Sequence, residues 1–307
     1  MTDSLPWKQR VGSQRDWVWR GWQIRYTYFR PLPTEGEQTT PVMLVHGFGC
    51  SIGHWRQNLA VLGQHHTVYA LDLLGFGASR KAWADYKIAL WVEQVYEFWQ
   101  TFIQQPMVLV GNSIGSLVCL TAAATHPEMV KGIALINLPD FAVREEAIPG
   151  WLRPIVSTVE ALVASAVVLK SLFYFLRHPA VVRKWAGLAY ANPEAVSTEL
   201  VEILTEPTRD RRAAATFSSL LRAMIKAEFG PSVKAILPTL DMPLLLLWGR
   251  QDRMIPPYLA QQFAQLNPKL QLVEVDNAGH CPHDECPEQV NQILLEWMAE
   301  KLSLSDI

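Results

Sequence analysis

A chain of 307 residues, half of them apolar and with a formal net charge of −2, can build one large core or two smaller ones. The near-neutral charge argues against a nucleic-acid-binding surface, and no low-complexity tract points to disorder. Four cysteines, Cys50, Cys119, Cys281 and Cys286, are too few for a disulfide framework in so long a chain and suit reduced thiols.

The first residues, MTDSLPWKQRVGSQRDW, contain no apolar run of the kind a secretory signal or anchor requires, so the expectation is a cytoplasmic protein. WVWRGWQIRYTYF, Trp17 to Phe29, is aromatic and β-branched around one glycine and predicts a hairpin. Lys8, Arg10, Arg15, Arg20, Arg25 and Arg30 stand here against Asp3 and Asp16, interleaved with Trp7, Trp17, Trp19 and Trp22. Two readings stay open: a hairpin with a solvated charged face, or an element that touches a membrane interface. PVMLVHG (41–47) and TVYALDLLG (67–75) are short apolar runs ending in glycine, as buried parallel strands do. Trp91, Val92, Val95, Trp99, Phe102 and Ile103 recur at helical spacing from Ile88 onward. MVLVG predicts the next strand, 114–125 the next helix, and VKGIALIN (130–137) a further strand.

The rhythm breaks between about Asp140 and Pro238, where the pattern is helical. Ile155, Val159, Leu162, Val163, Ala166 and Leu169 share one stripe. Within the most apolar part, only Ala161 to Leu169 is free of charge, far short of the roughly 20 residues that span a bilayer. A membrane-spanning helix is therefore not expected, while contact with a membrane surface stays open. PLLLLWG (243–249), a helix near 258–266, the strand LQLVEV and a last helix from about Glu285 to Leu302 resume the alternation. Alternating strands and helices predict an α/β fold: a mostly parallel sheet flanked by helices, with a helical cap inserted after the sixth strand. The expected division is a core of 1–140, a cap of 141–236 and a second core segment of 237–307.

Gly111-Asn112-Ser113-Ile114-Gly115 places a hydroxyl between two glycines where a strand turns into a helix. That is the context of a serine nucleophile held on a sharp elbow. A serine hydroxyl needs a base, and His280, after the last strand, is the candidate. Asp252, in WGRQDRMIP after the preceding strand, stands ahead as the orienting acid, because it completes the chain order Ser…Asp…His. Asp140 is the fallback. The oxyanion needs two backbone donors, for which Phe48 in HGFGCSIGHW and Ile114 are the candidates. His46 sits inside that loop and reads as structural, and His54 and His283 as structural or exposed. His280, Cys281, His283 and Cys286 bring mixed metal ligands together, but within seven residues they lack the spacing of a zinc site. No metal or cofactor is expected.

Together, HGFG at His46, DLLGFGAS at Asp72, GNSIGS at Gly111, WGRQD at Trp248 and GHCPHDECP at Gly279 resemble a cap-bearing α/β-hydrolase over nearly the full length. Ser113 stands where haloalkane dehalogenases and epoxide hydrolases carry a carboxylate, which argues against both. LVHGFGCSIGHWRQNL, TVYALDLLGFGASRK, LVGNSIGSLVCL, MVKGIALIN and GHCPHDECPE are similar to the chlorophyll dephytylase family of chloroplasts and cyanobacteria, with pheophytinases as more distant relatives. That resemblance implies hydrolysis of the phytyl ester of chlorophyll a to chlorophyllide and phytol, with peripheral contact at the thylakoid through the cap or the N-terminal hairpin. Trp151, Phe173 and Tyr174 add large apolar groups to the cap, which suits a lipophilic ester. Two alternatives remain from the residues alone: an esterase of another lipophilic ester, pheophytin included, and a binding protein that keeps the fold without turnover.

Overall fold

The computed structural model describes residues 5–31, 39–141 and 165–302. They form an eight-stranded sheet: β1 (Arg15–Trp19), β2 (Trp22–Phe29), β3 (Val42–Val45), β4 (Val68–Leu71), β5 (Met107–Asn112), β6 (Val130–Ile136), β7 (Leu244–Gly249) and β8 (Leu270–Val275). Their order is β1-β2-β4-β3-β5-β6-β7-β8. β2 runs antiparallel to β1 and β4, and every other pairing is parallel. Arg20 and Gly21 both adopt positive φ, 49° and 81°, which closes the β1–β2 hairpin in two residues with the twist that flanking strands favour.

β3, β4, β5 and β7 are buried along their whole length, so their sequences are near-continuous apolar runs. The two-residue period divides them between two cores. Met43, Val45, Leu109 and Leu246 face one side with α3 (Ile88–Phe102) and α4 (Ile114–Thr125). Val42, Leu44, Val108 and Leu247 face the other with α12 (Pro287–Leu302). The last helix begins at Pro287 rather than Glu285. Proline there forces Cys286 out of helical geometry (φ −128°, ψ 56°), which leaves Pro282–Glu285 as a separate turn, α11. A short N-terminal helix, α1 (Trp7–Arg10), has no signal in the sequence pattern.

Among the described residues, α5 (Ala166–Leu176), α6 (Pro179–Ala189), α7 (Thr198–Thr205), α8 (Ala213–Met224) and the single turn α9 (Val233–Ile236) lie between β6 and β7. Ser165 and Ser197 cap α5 and α7 by accepting from the Val168 and Leu200 amides. Phe173 of α5 packs on Phe217 of α8, ring centroids 5.3 Å apart. Four expected stripe positions, Ile155, Val159, Leu162 and Val163, together with Trp151, fall outside the described residues.

The basic N-terminal residues of α1 and the β1–β2 hairpin are engaged within the chain. Arg20 pairs with Glu93 and Glu97, Arg25 with Asp16, Arg10 with Glu199, and Lys8 with Glu206. Trp19 is buried and donates to Glu97. Because the central strands are parallel, their C-terminal ends converge on one edge of the sheet, where open α/β sheets bind ligands. There the loops after β3, β5, β7 and β8 carry Phe48, Ser113, Asp252 and His280.

Candidate active site

Ser113 joins β5 directly to α4 with φ 56° and ψ −122°, a conformation that a side-chain-bearing residue adopts only under constraint. The flanking glycines provide the space. A Cβ on Gly115 would lie 2.2 Å from the Val45 carbonyl oxygen, and one on Gly111 would lie 2.4 Å from the Gly115 backbone. α4 can therefore pass against β3 and β5 only without side chains there. The Ser113 amide donates to the Ile136 carbonyl at 2.9 Å, which fixes the turn to β6. The Ser113 hydroxyl is half-buried and faces an apolar cavity of about 490 Å³. It makes no hydrogen bond to another described group. Contacts of this kind often tighten only when substrate is bound.

His280 borders the same cavity. Its Nδ1 lies 2.8 Å from Asp252 Oδ2, so Asp252, not Asp140, is its carboxylate partner. The Asp252 carboxylate is saturated with donors. The Met254 and Ile255 amides donate to Oδ1 at 2.7 and 3.0 Å, and Asn137 Nδ2 donates to Oδ2 at 2.5 Å. Burial alone would raise the Asp252 pKa. The hydrogen bond and charge of His280, then the Ile255 amide and Asn137, outweigh it and hold the carboxyl below its ordinary value. Two further contacts place the His280 loop: Asn112 Nδ2 donates to the His280 carbonyl at 3.0 Å, and the His280 amide donates to the Ala189 carbonyl at 2.6 Å. The residue before Ser113 thus tethers the loop that carries His280.

Phe48 lies in the turn after β3. A Cβ on neighbouring Gly47 would come 3.3 Å from the Ser113 Cβ, so that loop runs close over Ser113. Neither the Phe48 amide nor the Ile114 amide donates to a described group. Ile114 is the first residue of α4, where helix geometry leaves its N–H without an intrahelical partner. Together the two amides provide donors for an oxyanion.

His46 is structural. Its Nε2 accepts from the Leu73 amide at 3.0 Å, which assigns the proton to Nδ1 and the 2.8 Å contact to a bond donated to the Gly47 carbonyl. Asp72 accepts from the Ile52 and Ala78 amides at 2.7 and 2.6 Å, tying the loop after β3 to the loop after β4. Gly77 is required beside it, since a Cβ there would lie 2.1 Å from the Asp72 carboxyl group.

His54 and His283 are fully buried and belong to a polar chain that sequence reasoning missed. His283 Nε2 meets His54 Nδ1 at 3.2 Å, and His54 Nε2 meets the Tyr190 hydroxyl at 3.1 Å. Tyr190 donates to Asp284 Oδ2 at 2.5 Å, and Arg56 Nη1 pairs with Asp284 Oδ1 at 2.6 Å. Arg56 Nε donates to Glu199 at 2.7 Å. Glu285 adds three bonds, accepting from the amides of Gly279, Ala191 and Asn192 at 2.8, 3.1 and 2.6 Å. The chain ties the His280 loop to the helices between β6 and β7. It also separates His283 from His280, which turns instead to Asp252. Among the described residues no cluster of three or more metal-ligating side chains occurs.

This network makes stability fall with acid. Burial pulls the His54 pKa down to about 4, with Asp284 opposing and Arg56 adding, while burial and then His54 push His283 well below its ordinary value. Below the unfolded value of about 6.5 the unfolded chain binds protons that the folded chain refuses, so stability rises with pH across the window from about 4 to 6.5. His54 alone accounts for on the order of 3 kcal/mol over that window. A melting temperature that drops from pH 6.5 toward pH 4 and then levels for this group is the expected result in thermal-shift titration. A flat profile there would contradict the buried neutral pair.

A sequence profile described as alpha/beta hydrolase fold matches residues 40–287. The chain belongs to the α/β-hydrolase family, and its class is hydrolase. It is similar to the chloroplast pheophytinase of Arabidopsis thaliana, 27% identical over 299 residues, which cover 84% of this chain and 60% of that protein. The chain thus spans about three fifths of that relative's length. An (E)-2-((N-methylformamido)methylene)succinate hydrolase from Acinetobacter baylyi is 24% identical over 264 residues, 86% of this chain and 91% of that one. Among solved structures, a membrane phospholipase A, a bacterial virulence factor, superposes with a TM-score of 0.75 at 25% identity, covering 96% of this chain and 88% of that one. A thermophilic esterase from Thermogutta terrifontis gives 0.72 at 19% identity over 94% and 99%, and shares the fold.

Proposed function

We propose that this hydrolase is a serine esterase that cleaves the phytyl ester of chlorophyll a to chlorophyllide and phytol. The observation that carries the esterase reading is the convergence of Ser113 and an Asp252-bonded His280 on one apolar cavity of about 490 Å³. That volume lies within the roughly 300–1,000 Å³ range of small-molecule sites. Phe48, Phe173, Phe217, Leu172 and Trp185 are among its walls, so a lipophilic ester gains by burial there.

In the proposed reaction Ser113 Oγ attacks the ester carbonyl carbon while His280 Nε2 takes its proton. The Phe48 and Ile114 amides receive the developing oxyanion. Collapse breaks the carbon–oxygen bond to phytol, which leaves with the proton from His280. His280 then deprotonates a water that attacks the acyl-enzyme, releasing chlorophyllide and restoring Ser113. Asp252 holds the Nδ1–H tautomer, so that Nε2 presents its lone pair, and stabilises the imidazolium. Magnesium arrives within the substrate. In this reading α5 to α8 belong to a cap of 141–236 on a core of 1–140 and 237–307, and the enzyme works peripherally at the thylakoid. Likeness to the pheophytinase favours one second reading: pheophytin, the same ester without magnesium.

The test is product analysis after incubation with detergent-dispersed chlorophyll a, pheophytin a and p-nitrophenyl esters. Chlorophyllide formed by the unmodified protein and not by Ser113→Ala is the expected result. Pheophorbide alone would select the second reading. Cleavage of p-nitrophenyl esters alone would retain the esterase and discard both tetrapyrroles. No turnover of any ester would leave a binding protein.

A further inference from the structure

Two neighbouring helices are apolar on more faces than the described residues cover. α5 buries Leu169, and Phe173 packs on α8, yet Val168, Leu172 and Phe175 form a second stripe at i, i+4 and i+7 that is exposed. α6 buries Ala186, yet exposes Trp185 and Leu188 on another face. Phe175 is 63% exposed and Trp185 57%, and with Val168, Leu172 and Leu188 they sit together on two neighbouring helices rather than scattered singly. A helix that is apolar nearly all round normally has a second apolar partner. Charge identifies that partner. From Ser165 to Pro193 the sequence holds Lys170, Arg177, Arg183 and Lys184 and no acidic residue. All four cations lie on α5, α6 or their junction, and Arg177 stacks over Tyr174 at 4.6 Å.

We infer that the α5–α6 hairpin docks on an anionic lipid surface, with the apolar stripes inserted and Lys170, Arg177 and Lys184 at the headgroups, while Arg183 is held by the Val196 carbonyl and the Thr198 hydroxyl. A second copy of this chain fits poorly, because a symmetric contact through this face would set these cations against their own copies. Leu172 and Trp185 also line the Ser113 cavity, so the patch is continuous with its mouth. An apolar ligand then passes from bilayer to cavity without crossing water. This inference goes beyond the ester chemistry and does not rest on it.

The experiment is vesicle flotation of the whole protein, with phosphatidylcholine alone and with phosphatidylcholine mixed equally with phosphatidylglycerol. The unmodified protein and Ser113→Ala are both expected to float with the mixed vesicles, less so at high salt. Phe175→Ser combined with Leu188→Ser is expected to lower the bound fraction about tenfold or more. Neither residue lines the cavity, so its turnover of p-nitrophenyl acetate and its melting temperature should match the parent and report an intact fold. Lys170→Gln with Lys184→Gln is expected to lower binding to the mixed vesicles roughly tenfold. Three results would each overturn the inference: no flotation of the parent with either vesicle, equal flotation of the apolar variant, or a dimer lost in that variant while vesicles are ignored. Because Ser113→Ala is read by flotation alone, failure of the esterase proposal leaves this result unaffected.

Discussion

Asp252→Asn is expected to lower kcat for ester hydrolysis by about 10⁴-fold with little change in fold, as the same exchange does in serine proteases. The reason is specific to the donors around this carboxylate. Oδ1 accepts from the Met254 and Ile255 amides, and Oδ2 from Asn137 and His280. An asparagine must turn its NH₂ toward one pair. Against the two fixed backbone amides it would set donor against donor twice, whereas on the other side it opposes one donor, the adjustable Asn137 side chain, so the NH₂ faces His280. Nδ1 must then accept, the proton moves to Nε2, and His280 can no longer take the Ser113 proton. Ser113→Ala removes the nucleophile itself and is expected to lower turnover by roughly 10⁴ to 10⁶-fold. Initial rates on a p-nitrophenyl ester, with circular dichroism for the fold, check both. Activity of Asp252→Asn within tenfold of the parent would contradict the assigned role.

The second large effect is on folding. Gly249→Ala places a Cβ 1.9 Å from the Gly279 carbonyl oxygen, and Gly115→Ala places one 2.2 Å from that of Val45. Both obstacles are backbone held in the sheet or its loops, so relief requires moving β7 from the His280 loop or α4 from β3. Overpacking typically costs 1–3 kcal/mol, and contacts this close belong at or above the top of that range. Each variant should melt at least ~5 °C below the parent or fail to accumulate as folded protein. Gly187→Ala is the control. Gly187 lies within α6 with nothing beyond its own helix backbone and chain neighbours within 4 Å of its added Cβ, so alanine should raise stability by about 1 kcal/mol through helix propensity. Equal melting temperatures for Gly249→Ala, Gly115→Ala and the parent would show that these close approaches do not constrain the fold.

The strands were legible because each buried strand is locally complete. LQLVEV coincides with β8, and the expected strand MVLVG lies within β5, which runs one residue further to Asn112. The helix expected at 114–125 is α4, because the elbow fixes its start. Ser113, Asp252 and His280 stand out as candidates in the sequence because each follows a recognisable strand. Contacts between distant positions carry no local pattern. Asn137 meets Asp252 across 115 positions, and His283 meets His54 across 229. Nothing near His54 or His283 in sequence separates a buried neutral imidazole from an exposed one, and Glu285, which joins the Gly279 amide of the His280 loop to the Ala191 and Asn192 amides after α6, reads as an ordinary surface acid. The α5–α6 patch was hidden for a related reason: apolar residues at helical spacing look alike whether they face a core or solvent.

The most direct measurement is intact-mass and peptide mapping after treatment with a fluorophosphonate, which phosphonylates a serine only when a base and an oxyanion site activate it. One adduct per chain is expected, on the peptide containing Ser113, absent in Ser113→Ala and much slower in Asp252→Asn. No adduct, or an adduct on another residue that persists in Ser113→Ala, would contradict the assignment of Ser113, His280 and Asp252 as the hydrolytic machinery.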